Sequence, residues 1–125
     1  MSFFLPGVVP INSTFAPVNN PSTSSLLAEL DSSNFGVASG SAISRMYSVC
    51  IYAGGSTGGY WVAEKATSTA LSATTDSLFF RTASGQTSQF VWKVTLTAGT
   101  DRIRVRHAST VNGLFDCKLC AEEIG

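Results

Sequence analysis

The segment SQFVWKVTLT (residues 88–97) limits most sharply what this chain can fold into. Phe90, Trp92, Val94 and Leu96 fall on every second position, so they share a face only if the backbone is extended. The same period of two runs from residue 35 onward. It predicts strands over 42–53, 60–66, 77–82, 88–97, 102–108 and 114–123. GGSTGG (54–59) reads as a mobile loop, TSTALSATTD (67–76) as a polar connector and ASGQ (83–86) as a turn. LLAELD (26–31) fits either one helical turn or a short strand. No helix-period segment exceeds one turn. Short alternating strands punctuated by turn residues predict an all-β, antiparallel β-sandwich.

A chain of 125 residues is one domain with room for a hydrophobic core. Its solubility rests on hydroxyls. Charged residues make up 13%, about half the usual share, while Ser and Thr supply roughly a quarter of the sequence. Eight basic and eight acidic residues balance, so bulk attraction to nucleic acid or to an anionic membrane is not expected. No apolar run approaches the roughly 18 residues of a membrane span. A surface poor in charge is inexpensive to bury against a partner.

The chain begins MSFFLPGVVPINSTFAPVNNP, which holds all four prolines (Pro6, Pro10, Pro17, Pro21) and no charged side chain. A secretory signal is not expected, because a basic n-region is missing and Pro6 and Pro10 interrupt the apolar stretch. Without export the three cysteines are expected as thiols. Residues 1–25 are predicted to form an extended arm and residues 26–125 the sandwich. Phe3, Phe4, Leu5, Val8, Val9, Ile11 and Phe15 are then candidates for contact with a partner, since an apolar segment without regular structure buries itself poorly in its own domain. A neighbouring molecule is the expected support for the arm. A sister subunit and its own sandwich are the other surfaces open to it.

Alternation across 102–108 turns Ile103, Val105 and His107 inward and Arg102, Arg104 and Arg106 outward. Across 114–123, Phe115, Cys117, Leu119 and Ala121 turn inward and Asp116, Lys118 and Cys120 outward. If successive strands are simple hairpins, Leu96 faces Ile103, Trp92 faces His107, and the arginines share a face with Lys93 and Lys118, opposed by Asp116. That basic stripe is a second candidate contact, for an acidic partner surface. The glycine loop ending in Tyr60-Trp61 is a candidate ligand loop, with one of the two aromatics free to stack.

VTLTAGTDRIRVRHASTVNGLFDCKL resembles the end of trimeric jelly-roll domains of the C1q and tumour-necrosis-factor type. Leu96, Gly99, Asp101, Ile103, Val105, Ser109, Phe115 and Leu119 follow that pattern, over about a quarter of the chain, with Gly-Thr-Asp in place of the usual Gly-Asp. The resemblance implies a jelly-roll-like homotrimer in which the Gly-Asp turn crosses between two sheets, against the hairpin alternative. Size, hydroxyl-rich neutrality and the proline-rich arm also resemble the decoration, or cement, proteins on the capsids of tailed bacteriophages. That likeness implies a structural virion protein, made in the host cytoplasm and bound to the major capsid protein or another shell protein.

Enzyme chemistry finds no pattern. Cys117 and Cys120 form a C-x-x-C, but positions three apart on a strand face opposite ways, and only Cys50 and His107 remain as further ligands. No metal, cofactor or catalytic residue is therefore expected. His107 reads as a buried core residue, no G-x-S-x-G elbow is present, and Glu64 and Asp76 form no evident carboxylate pair. The competing reading is a lectin-like or receptor-binding β-sandwich, as at a tail fibre or spike tip, acting through Tyr60 and Trp61.

Overall fold

A computed structural model of the protein describes residues 11–14, 17–31, 44–97, 99–108 and 112–124. Phe3, Phe4, Leu5, Val8, Val9 and Phe15 lie outside these residues, as does Ser109. Among the described residues the chain forms β1 (Ile11–Thr14), β2 (Val18–Asn19), β3 (Leu26–Leu30), β4 (Ser44–Gly55), β5 (Gly59–Ala66), β6 (Thr74–Thr82), β7 (Thr87–Thr97), β8 (Arg102–His107) and β9 (Leu114–Glu123). A 3-10 turn, Leu71–Ala73, precedes β6. No helix among these residues is long and apolar enough to cross a membrane.

All pairings are antiparallel and form two sheets. One has the order β1-β9-β4-β7, with β2 continuing along β9 beyond β1; the other has the order β3-β8-β5-β6. With β1 and β2 counted as one interrupted edge strand, this is the eight-strand, doubly interleaved order of a jelly roll. The chain changes sheet at every connection from β2 onward except the β5–β6 hairpin. The hairpin alternative for 88–108 is thereby corrected. Strand β7 pairs with β4, whereas β8 pairs with β3 and β5. His107 consequently lies opposite Trp61, not Trp92.

The crossing turn itself explains the choice. Gly99 takes φ +81°, Asp101 N donates to Thr97 O at 2.9 Å, and Thr97 N donates to the Asp101 carboxylate at 2.7 Å. Asp101 is 4% exposed, with Lys65 Nζ at 3.8 Å. A polar plug of this kind ends one strand and turns the backbone over the open end of the sandwich.

Between the sheets lies one core, in which Val49, Ile51, Trp61, Leu96, Ile103, Val105, Phe115 and Leu119 are all fully buried. The inward parity expected for β7, β8 and β9 is the one observed. The ambiguous LLAEL segment is a strand, because pairing with β8 buries Leu27, Ala28 and Leu30 together.

The sandwich begins earlier than residue 26. β1 and β2 pair with β9, placing Ile11 opposite Ala121 and Val18 opposite Phe115. Asn20 then takes φ +51°, its N–H donates to Gly113 O at 2.7 Å, and its Oδ1 accepts from Gly113 N at 2.8 Å. For these residues the support of the arm is its own sheet. Prolines permit this because β1 and β2 are edge strands, where one side of the backbone needs no ladder partner.

Candidate functional site

The three arginines of β8 do lie on the outer side of their sheet, but they do not present a bare basic face. Glu64 on β5 stands opposite Arg104 in register. Its carboxylate accepts from Arg104 Nε at 3.0 Å and from Arg106 Nε at 2.7 Å and Nη2 at 2.8 Å. The rest of the Arg104 guanidinium is spent on the connector that folds over it. It donates to the carbonyls of Ser68, Thr69, Ala70 and Leu71 and, at 2.8 Å, to Thr74 Oγ1. Arg104 is 1% exposed as a result. Arg102 Nη1 meets Glu29 at 3.2 Å and its Nη2 meets Asp31 at 3.6 Å, while Arg106 Nη1 donates to Thr23 O.

The expected company of this stripe is corrected too. Lys93 and Lys118 belong to β7 and β9 in the other sheet, because the chain crosses the sandwich on either side of β8. The arginines thus bind the connector, β3 and the turn before it to the β5–β8 pair. Two adjacent guanidiniums, chiefly the Arg106 hydrogen bond and then that of Arg104, hold the Glu64 carboxyl below its usual 4.5 despite burial. The same ion pair raises the Arg106 pKa.

Tyr60 and Trp61 part company as alternation requires. Tyr60 is 54% exposed, with the Arg81 guanidinium 4.9 Å from its ring centre. Trp61 is fully buried, stacked on Phe80 at 5.8 Å and donating from Nε1 to Thr82 Oγ1 at 2.8 Å. His107 is fully buried between Trp61 and Phe115, with ring centres at 5.4 and 4.8 Å.

The glycine stretch is a tight, bonded end of the sandwich where sequence predicts a mobile loop. Ser56 N donates to Leu114 O at 3.0 Å, Leu114 N to Ser56 Oγ at 3.0 Å, Gly85 N to Gly55 O at 2.8 Å and Gly58 N to Ser84 Oγ at 2.8 Å. Close approach, not mobility, explains Gly55: a Cβ there would overlap the Phe115 ring. Gly55→Ala is therefore expected to lower stability by about 1–3 kcal/mol through overpacking, read as a lower urea midpoint.

This end holds a cleft of about 300 Å³ lined by Pro17, Gly54, Gly55, Ser56, Gly85, Gln86, Thr87, Leu114, Phe115 and Asp116. Hydroxyl, amide and carboxylate groups stand there beside an exposed Leu114. No protein-family model matches the chain, and no curated protein matches it significantly. The chemistry of the site thus rests on its own residues. Among the described residues no three His, Cys, Asp or Glu side chains gather closely enough to hold a metal ion. The cleft offers neutral polar contacts and one carboxylate. Local sequence does not disclose it, because its walls come from four separate stretches of chain.

Proposed function

We propose that this protein is a structural virion protein, a decoration or cement protein that attaches as a homotrimer to the capsid of a tailed bacteriophage. The observation that supports the reading best is the junction of the arm with the sandwich. Residues 11–14 form an edge strand of the sheet, and the charge-free sequence MSFFLPGVVP is joined directly to it. An apolar segment tethered to a sheet edge suits a contact between neighbouring bodies, and copy number multiplies a modest contact across a shell.

Attachment is assigned chiefly to Phe3, Phe4, Leu5, Val8 and Val9. Arg102 and Arg106 supply a smaller electrostatic part, since their guanidiniums already have carboxylate partners. Deleting residues 2–9 tests this while leaving β1 and its pairing with β9 in place. The truncated protein is expected to stay folded and to bind the purified capsid at least tenfold more weakly, about 1.4 kcal/mol, in co-sedimentation. Undiminished binding would overturn the reading. Added salt is expected to change attachment little, because hydrophobic burial is not screened.

The cleft and the exposed Tyr60 favour a second reading, a lectin-like or receptor-binding module. Of the two aromatics of the glycine stretch, Tyr60 is the one left to stack on a ligand, since Trp61 is in the core.

A further inference from the structure

Cys50 on β4 and Cys120 on β9 are direct partners across neighbouring antiparallel strands. Both lie on the outer side of their sheet and both are partly exposed. Their pair type follows from the ladder. Ile124 N donates to Met46 O at 2.8 Å and Ser56 N to Leu114 O at 3.0 Å, which marks 46/124 and 56/114 as hydrogen-bonded pairs. The register between them is unbroken. Pair types alternate along an antiparallel ladder, so 50/120 is hydrogen-bonded as well, with Cα atoms about 5.5 Å apart. That separation lies inside the range a disulfide spans.

We infer that Cys50 and Cys120 form a redox-convertible dithiol, which a small-molecule disulfide closes into a cross-strand bridge between β4 and β9. The step balances as a two-electron exchange. One thiolate attacks the external disulfide, forming a mixed disulfide and releasing one small thiolate. The second attacks the protein-side sulfur and releases the other small thiolate. The two protein thiols lose two protons and two electrons, and the external disulfide is reduced to two thiols.

Burial makes the third cysteine distinct from this pair. Cys117 is 1% exposed, and burial pushes its thiol up to about 12, so it stays protonated and shielded. Geometry also makes the bridge reversible. Side chains of a hydrogen-bonded pair stand toward the wide end of cross-strand Cβ spacing, about 5.5 Å. A relaxed disulfide prefers about 3.5–4.5 Å. Closure must draw the strands together, and a bridge under tension is more readily reduced. Strand β9 also carries the arm strands β1 and β2. A β4–β9 bridge would thus secure the strand on which the arm rests once the protein leaves a reducing compartment.

The inference does not depend on the identity of any partner. The folded full-length protein is incubated with oxidised glutathione, quenched by alkylation, and analysed by intact mass and peptide mapping. Alkylated under denaturing conditions, the protein is expected to take up one alkyl group in place of three, with a mass otherwise two hydrogens below the reduced chain and Cys50 joined to Cys120. Dithiothreitol should restore all three. Cys50→Ser and Cys120→Ser should each leave the remaining surface thiol as a glutathione adduct. Retention of three thiols in the wild type, stable glutathione adducts there instead of the bridge, or a bridge that includes Cys117 would each overturn the inference. The wild-type experiment decides the matter even if a variant fails to fold.

Discussion

Glu64→Gln should lower the stability of the protein by about 3–5 kcal/mol at neutral pH, the usual effect of removing one partner from a buried ion pair. A domain of this kind has about 5–15 kcal/mol in all, so the urea midpoint should drop by a large fraction. The reason is the state in which Arg104 is left. At 1% exposure it cannot exchange a lost carboxylate for water. The double variant Glu64→Leu, Arg104→Met removes both charges and is expected to recover part of the loss. Full recovery is not expected, because Arg104 also holds four carbonyls of the 68–71 connector.

The pH dependence of the same variant has a definite sign. The Glu64 carboxyl is held below 4.5 in the folded protein, first by Arg106 and then by Arg104, against desolvation. Its unfolded counterpart binds a proton more readily. The stabilisation is therefore fully present above about 4.5 and is lost as pH falls through the folded value. Wild-type stability should decline in that acid range, Glu64→Gln should be flatter, and the gap between their midpoints should close. A gap unchanged down to low pH would show that charge is not what Glu64 contributes.

This cluster marks the boundary of what the sequence discloses. Side-chain parity is a local property, and it is readable in RIRVRHA, LFDCKLCAEE and SQFVWKVTLT. It correctly separates Ile103, Val105 and His107 from the arginines, and Cys117 from Cys120. Which strand lies beside which is not local. Nothing near Arg104 indicates that Glu64, forty residues earlier, will stand opposite it, or that Cys50 will meet Cys120. Those registers follow from the sheet order, and a jelly roll pairs strands distant in sequence. Outward direction is for the same reason a poor guide to exposure. Arg104 points away from the core and is buried by a connector whose path the alternation does not encode. The arm shows the converse error. Its prolines argue against regular structure, yet Pro17 stands immediately before an edge strand, where a missing backbone donor costs little.

Trp61→Ala and Tyr60→Ala, adjacent on β5, should differ sharply in cost. Trp61, at zero exposure, fills the space between Phe80, His107 and Phe115 and donates to Thr82 Oγ1. Its truncation should cost about 3–5 kcal/mol, and Thr82 would lose its buried donor as well. Tyr60→Ala removes a half-exposed ring and one cation–π contact with Arg81, together worth about 1 kcal/mol or less. Urea midpoints of the two variants test the contrast, and equal losses would contradict the assignment of Trp61 to the core. The contrast also determines how a ligand at this end of the sandwich must be sought. Lost glycan binding in Trp61→Ala would report a damaged fold. Tyr60→Ala leaves the fold standing, so a sugar that binds the wild type and not this variant would favour the lectin-like reading over attachment by the arm, and equal sugar binding by both proteins would remove Tyr60 as its platform.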